Sequence, residues 1–479
     1  MNRRELFAGA AAVAIARYLP SQSAPTTFTG LAGRPAEADR HFRSAVIEQA
    51  IAEMRTAVGS PELARIFANC FPNTLDTTAF AGSFEGKPDT YVITGDIDAM
   101  WLRDSSAQVW PYLAFAQKDA ALRQLLEGVI RRQARLILLD SYANAFTRNP
   151  SDPPLSWSLH DKTEMHAGVA ERKWEIDSLC YPVRLAYGYW KSTGSTAPFD
   201  SQWLQAAKRI VATFREQQRI SNPGPYSFQR PNSSATDTQT RDGFGSPVKP
   251  NGLICSCFRP SDDACRYLFF MPANLFAAVT LERLSEIAAG VYHDPSFARQ
   301  CAEFARQVRG AINRYGVVHH PVHGEILAYE VDGLGNTLLM DDANAPGLLS
   351  LAYLELLPRN SPLYQRTRAF ALSADNPYFF RGTAGEGIGG PHVGRDYIWP
   401  MSIIMRGLTS SSEAEITQCL RTLGNSTAGT NFMHEAFYKD DPAKYTRPWF
   451  AWANGLFGEL LLKLRRERPA LLRDFRINA

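Results

Sequence analysis

Residues 297–315, FARQCAEFARQVRGAINRY, place Phe297, Cys301, Phe304, Val308, Ile312 and Tyr315 at three- and four-residue intervals. That spacing lines one face of an α-helix with apolar side chains and leaves the other faces to Arg, Glu and Gln. Leu122, Leu125, Leu126, Val129 and Ile130 show the same stripe, and Phe276, Val279, Leu284, Ile287 and Val291 repeat it. One stretch departs from the helical period: Val317 to His320, Pro321 to Gly324, then Glu325 to Val331 and Asp332-Gly333 read as a β-hairpin. No alternation of strand and helix follows, which argues against a Rossmann-type or α/β-barrel fold.

Between the helical segments lie stretches dense in Gly, Pro, Trp and charge, centred near residues 94–104, 160–177, 247–263, 340–347, 385–400 and 434–454. Six clusters with a helical hairpin in each interval fit a ring of paired helices whose polar clusters gather at one mouth. The expected fold class is all-α, an (α/α)6 barrel with a small β-hairpin insertion; the same spacing also fits an irregular helical array. The tract Ser221 to Pro250 reads as a surface loop, since no change of composition follows it, so residues 25–479 are expected to form a single domain.

A formal net charge of +3 over 479 residues is too small to suggest a nucleic-acid partner or a polybasic membrane anchor. A neutral or weakly charged ligand fits better. Nine Trp and eighteen Tyr suit a surface that grips sugar rings by their C–H faces, although such rings also fill cores. Residues 1–24 read as a twin-arginine-type signal peptide: Arg3-Arg4 precede a short apolar run, Ala8 to Ala16, and Ser21, Ser23 and Ala24 follow as small cleavage-site residues. The expected location is periplasmic or secreted, with no membrane anchor after processing. The seven cysteines are an odd number, so at least one stays unpaired in a monomer. Cys255, Cys257 and Cys265 lack the paired C-x-x-C spacing of a zinc site.

Acidic residues recur beside Trp, Gly, Pro and Arg, unusual company for a solvated charge run. Asp96 and Asp98 precede Met100 to Ser105; Trp174-Glu175-Ile176-Asp177, Phe258 to Asp263, Asp341-Asp342, Gly394 to Pro400 and His434-Glu435 follow. Paired carboxyl groups, one protonated and one ionised, are what glycosidic bond cleavage requires. Competing motifs are missing: there is no H-E-x-x-H, phosphate loop or nucleophile elbow. Gly385 to Gly390 reads as a loop rather than a nucleotide-binding turn, and His319, His320 and His323 as a solvated hairpin face rather than metal ligands.

The runs Thr94 to Ile97 with Met100 to Ser105, Phe258 to Asp263, Met340 to Pro346, Gly385 to His392 with Arg395 to Trp399, and His434-Glu435 through Trp449 to Asn454 resemble glycoside hydrolase family 125 over about residues 40–465. The resemblance implies an (α/α)6 fold and an inverting exo-acting α-mannosidase specific for terminal α-1,6-linked mannose, with no cofactor and no metal. It implies Asp262 as general acid, Asp263 being the neighbouring choice, and Glu435 as general base. Arg103, Asp104, Glu175, Asp177, Arg259, Asp263, Arg395, Asp396 and Trp399 are the candidates for holding an α-mannoside oligosaccharide or glycan, Trp399 by stacking. In one departure, Cys255-Ser256-Cys257 precedes Phe258 where the family pattern has a bulkier first residue, often Trp, which leaves the leaving-group wall open. A glucoamylase-like or trehalase-like hydrolase would use the same barrel with another pocket. A non-catalytic sugar-binding protein would have no use for Asp262 and Glu435 as a pair.

Overall fold

The computed structural model describes residues 33–477. The expected signal segment, residues 1–24, lies outside the described residues. Thirteen α-helices among the described residues dominate the chain. The three apolar stripes fall in the helices Ala120–Leu139, Met271–Gly290 and Pro295–Tyr315. Local chemistry starts them: the Asp119 carboxylate accepts the amides of Ala121 and Leu122, and Asp294 accepts that of Phe297 with Pro295 in the first turn.

The helices form two layers. Leu102–Val109 packs on Ile176–Thr193, which packs on Met271–Gly290; Pro400–Thr409 packs on Ala451–Glu467, which returns to Leu102–Val109. These inner helices are buried over most of their surface; all eight residues of Leu102–Val109 are covered. Pro295–Tyr315 packs outside Met271–Gly290, Glu413–Asn425 outside Pro400–Thr409, and Ala120–Leu139 beside Ser201–Glu216, each burying one stripe. Trp101, Glu175, Phe270, Trp399 and Phe450 are the N-cap residues of the inner helices. Arg103, Asp104, Glu175, Asp177 and Trp399 therefore sit where these helices begin, whereas Arg259, Asp262, Asp263 and Glu435 lie on loops.

The expected helix-rich fold is present, with more strand than the one hairpin anticipated: among the described residues, fifteen strands of two to six residues form six small sheets. The anticipated hairpin is present as Val317–His320 against Gly324–Leu327, with Val317 opposite Leu327 and His320 opposite Gly324. Its second strand ends early: Glu330–Val331 instead pairs with Phe269–Phe270 and Thr337–Leu338. The hairpin histidines serve their own turn, since His320 Nδ1 accepts the amides of Val322 and His323, and His323 Nε2 lies 2.8 Å from Asp375. All seven cysteines are buried and unpaired. Residues 386–388 of the glycine-rich run form a strand paired with Phe379–Arg381.

Candidate active site

Arg103, in the first turn of Leu102–Val109, is the hub. Its Nη1 donates to Glu175 Oε2 at 2.5 Å and Asp177 Oδ2 at 3.3 Å, its Nε lies 3.4 Å from Asp104 Oδ2, and its Nη2 lies 3.8 Å from Asp262 Oδ1. One guanidinium cannot neutralise four carboxylates. Burial, opposed by Arg103 and reinforced by Asp262, pushes Asp104 up to about 6; burial likewise pushes Asp177 up to about 6 and Glu175 well above the usual carboxylate range. Asp104 Oδ2, Glu175 Oε1 and Asp177 Oδ1 are buried and have no hydrogen-bond partner in the protein. Unpaired acceptors of this kind are costly, about 1–3 kcal/mol each, unless a hydroxyl-bearing ligand or solvent completes them.

Asp262 stands at the edge of this pocket. Its side chain is 28% exposed, whereas those of Glu175 and Asp177 are fully covered. The residue adopts a left-handed backbone, φ 65°, which is uncommon outside glycine and needs external support. Its amide donates to the Arg259 carbonyl at 2.9 Å, and the buried Lys173 ammonium donates to the Asp262 carbonyl at 2.9 Å while pairing with Asp237 at 2.6 Å. The Asn144 amide reaches its carboxylate at 3.5 Å.

Glu435 is held from another segment of the chain. Met433 is pinned to the start of Ala451–Glu467, its amide donating to Asn454 and its carbonyl accepting from Phe450. The Glu435 carboxylate accepts from Thr446 Oγ1 at 2.7 Å, and Arg447 Nε lies 3.2 Å from it. Arg447 also donates to Asp96 at 2.5 Å, and its charge acts on Asp262 and Asp104 as well as on Glu435. Arg447 thus ties Glu435 electrostatically to the Arg103 pocket.

The remaining candidates are placed differently. Asp263 is buried, facing Ser261 at 3.5 Å and His392 at 3.9 Å, and burial pushes it up to about 6. Ser261 in turn donates to Asp342, which ties the 340–347 cluster to this loop. Arg259 turns away into a buried pair with Glu330 at 2.6 Å, a carboxylate that also accepts the amides of Arg266 and Tyr267; its guanidinium braces the acid-bearing loop. Arg395 is exposed and Asp396 half-exposed on the rim, the latter 3.8 Å from Lys439. Trp399 is as buried as Arg103, 3% exposed, and packs between His392 and Phe450 as the N-cap residue of Pro400–Thr409.

Arg447, Lys173 and Asn144 escaped the sequence reading. Arg447 and Lys173 lie inside acidic-aromatic clusters already marked, so their position was the available signal; Asn144 carried none.

Known proteins share this chain's sequence and fold. The family described as metal-independent α-mannosidase, glycoside hydrolase family 125, matches residues 60–462. The meiotically up-regulated gene 157 protein of Schizosaccharomyces pombe is 41% identical over 457 residues, 92% of this chain and 89% of that protein. A metal-independent α-mannosidase of Streptococcus pneumoniae, solved in a non-productive complex with α-1,6-mannobiose, is 39% identical with a TM-score of 0.85, covering 89% of this chain and 100% of that one. A bacterial glucoamylase solved with acarbose shares the fold alone, at 14% identity and a TM-score of 0.50 over 86% of this chain and 57% of that one. The chain belongs to glycoside hydrolase family 125, the metal-independent α-mannosidases.

Proposed function

We propose that the protein is an inverting exo-α-1,6-mannosidase in which Asp262 is the general acid and Glu435 the general base. The observation that carries this reading is the arrangement around Arg103: a buried wall of unpaired carboxylate oxygens, bordered by the partly open Asp262, with Glu435 oriented by Thr446 and Arg447. The wall accepts hydroxyl hydrogens of one terminal sugar and closes the pocket behind it, which favours exo action. Asp262 then gives its proton to the departing glycosidic oxygen as the C1–O bond breaks. Glu435 takes a proton from water, whose oxygen bonds to C1 from the opposite face.

The α-1,6 preference is supported by the mannobiose bound to the Streptococcus pneumoniae relative. A six-hairpin barrel forming a single domain is supported by the inner helices and by the single large apolar core that most of them share. Export through a twin-arginine signal is read from Arg3-Arg4, the apolar run Ala8 to Ala16 and the small residues that follow, and Arg3→Lys with Arg4→Lys should strand the enzyme in the cytoplasm. The activity test is product analysis on α-1,6-, α-1,3- and α-1,2-mannobiose. Release of mannose from the 1,6 isomer foremost is expected; equal or greater cleavage of another isomer overturns the specificity.

A further inference from the structure

The geometry points to Trp157 as the platform that receives the leaving-group sugar. This deepens the preceding assignment and rests on it. A general acid lies beside the scissile oxygen, so the terminal sugar occupies one side of Asp262 and the leaving group the other. The Arg103 wall takes the first side. From the same Asp262 Oδ1 that faces Arg103, Asn144 Nδ2, at 3.5 Å, leads on to Glu171 Oε2, at 2.9 Å. Glu171 Oε1 in turn accepts the indole N–H of Trp157 at 3.1 Å and an Arg230 N–H at 2.9 Å.

The indole edge is therefore anchored to a buried carboxylate, while the residue as a whole is 37% exposed in the short turn Ser156–Ser158. An exposed, oriented indole presents an apolar face to the C–H face of a sugar ring, with little conformational freedom left to lose on binding.

The test compares two substrates on the full-length enzyme. α-Mannosyl fluoride has a single-atom leaving group that reaches no platform, whereas α-1,6-mannobiose has a whole ring. Wild-type turnover of both tests the underlying assignment; the ratio between them in the variants tests the platform. Trp157→Ala should lower kcat/KM for mannobiose about tenfold, mainly through KM, and leave the fluoride within about twofold. Trp157→Phe keeps a ring but loses the bond to Glu171, and should recover most of the mannobiose activity. Equal loss on both substrates overturns the inference. So does a Phe variant as damaged as the Ala variant, which would mean that the indole acts through Glu171 rather than by its face.

Discussion

Asp262 and Asp263 are adjacent in the chain and meet different surroundings: the first is partly open beside Arg103, the second buried against Ser261 and His392. Only a group touching the departing oxygen can show leaving-group dependence. Asp262→Asn should slow hydrolysis of a mannoside with an alkoxide-like leaving group by about 10²–10⁴ and affect a phenolate leaving group much less. Glu435→Gln should depress both alike, because water must be activated whatever departs. If Asp263→Asn shows the leaving-group pattern and Asp262→Asn does not, the roles are reversed. Asp104 makes a second prediction at this scale. Its folded carboxyl titrates at about 6 against an ordinary 3.8, so over that interval the folded protein holds a proton that the unfolded chain has released. The stability tied to that proton is fully present below pH 3.8 and is lost as pH rises through about 6. Urea unfolding of Asp104→Asn should therefore show a shallower fall in stability across that window than wild type, together with lost activity; an unchanged slope contradicts the shift.

Elements differ in how plainly they were written in the sequence. Outer helices such as Pro295–Tyr315 bury one stripe, and the stripe is readable as a period. Leu102–Val109 is buried on every side and carries Arg103, Asp104 and Gln108 inward, so no amphipathic pattern marks it. Strands of two residues, such as Met100–Trp101 and Tyr397–Ile398, are too short for any alternation to show. The acidic motifs were legible because unusual neighbours surround them. Asn144 and Trp157 were not, since Asn144 meets Asp262 across 118 positions of the chain and Trp157 is joined to it only through Glu171 and Asn144. Two helical glycines give an element-scale test. A Cβ on Gly310 meets nothing within 4 Å, so Gly310→Ala should raise stability by about 0.5–1 kcal/mol through the lost freedom of the unfolded chain. A Cβ on Gly128 would fall 2.4 Å from Thr90 Oγ1 and 2.8 Å from the Thr90 amide nitrogen, where Ala120–Leu139 packs on the strand Lys87–Val92. Gly128→Ala should cost about 1–3 kcal/mol, and a thermal melt showing both variants shifting the same way refutes the packing argument.

At the scale of the whole molecule, Asp262 and Glu435 are 173 positions apart, and Ala451–Glu467, which anchors the Glu435 segment, packs back on the helix bearing Arg103. In the proposed mechanism the spacing that these helices set between the two carboxylates decides the stereochemistry. Inverting enzymes keep their carboxyl groups about 6.5–9.5 Å apart to admit a water molecule, whereas retaining enzymes bring them to about 5–5.5 Å so that one can attack the sugar. In this site the Glu435 carboxylate is held by Thr446 and Arg447, while Asp262 is approached by Asn144 and its carbonyl is held by Lys173. The Arg447 charge bears on both carboxylates, and under the inverting assignment proposed above a water lies between them. Proton NMR of the first sugar released from an α-mannoside should therefore show β-mannose before mutarotation, and added azide should trap no retained mannosyl azide with the wild-type enzyme, since no mannosyl-enzyme forms. The same spectra recorded after exhaustive chelation should be unchanged in rate and anomer, because both proton transfers belong to side chains of this chain. α-Mannose as first product would mean that Glu435 or Asp262 attacks the sugar directly. Loss of turnover on chelation, restored by a divalent ion, would assign water activation to a metal and remove Glu435 from the role of base.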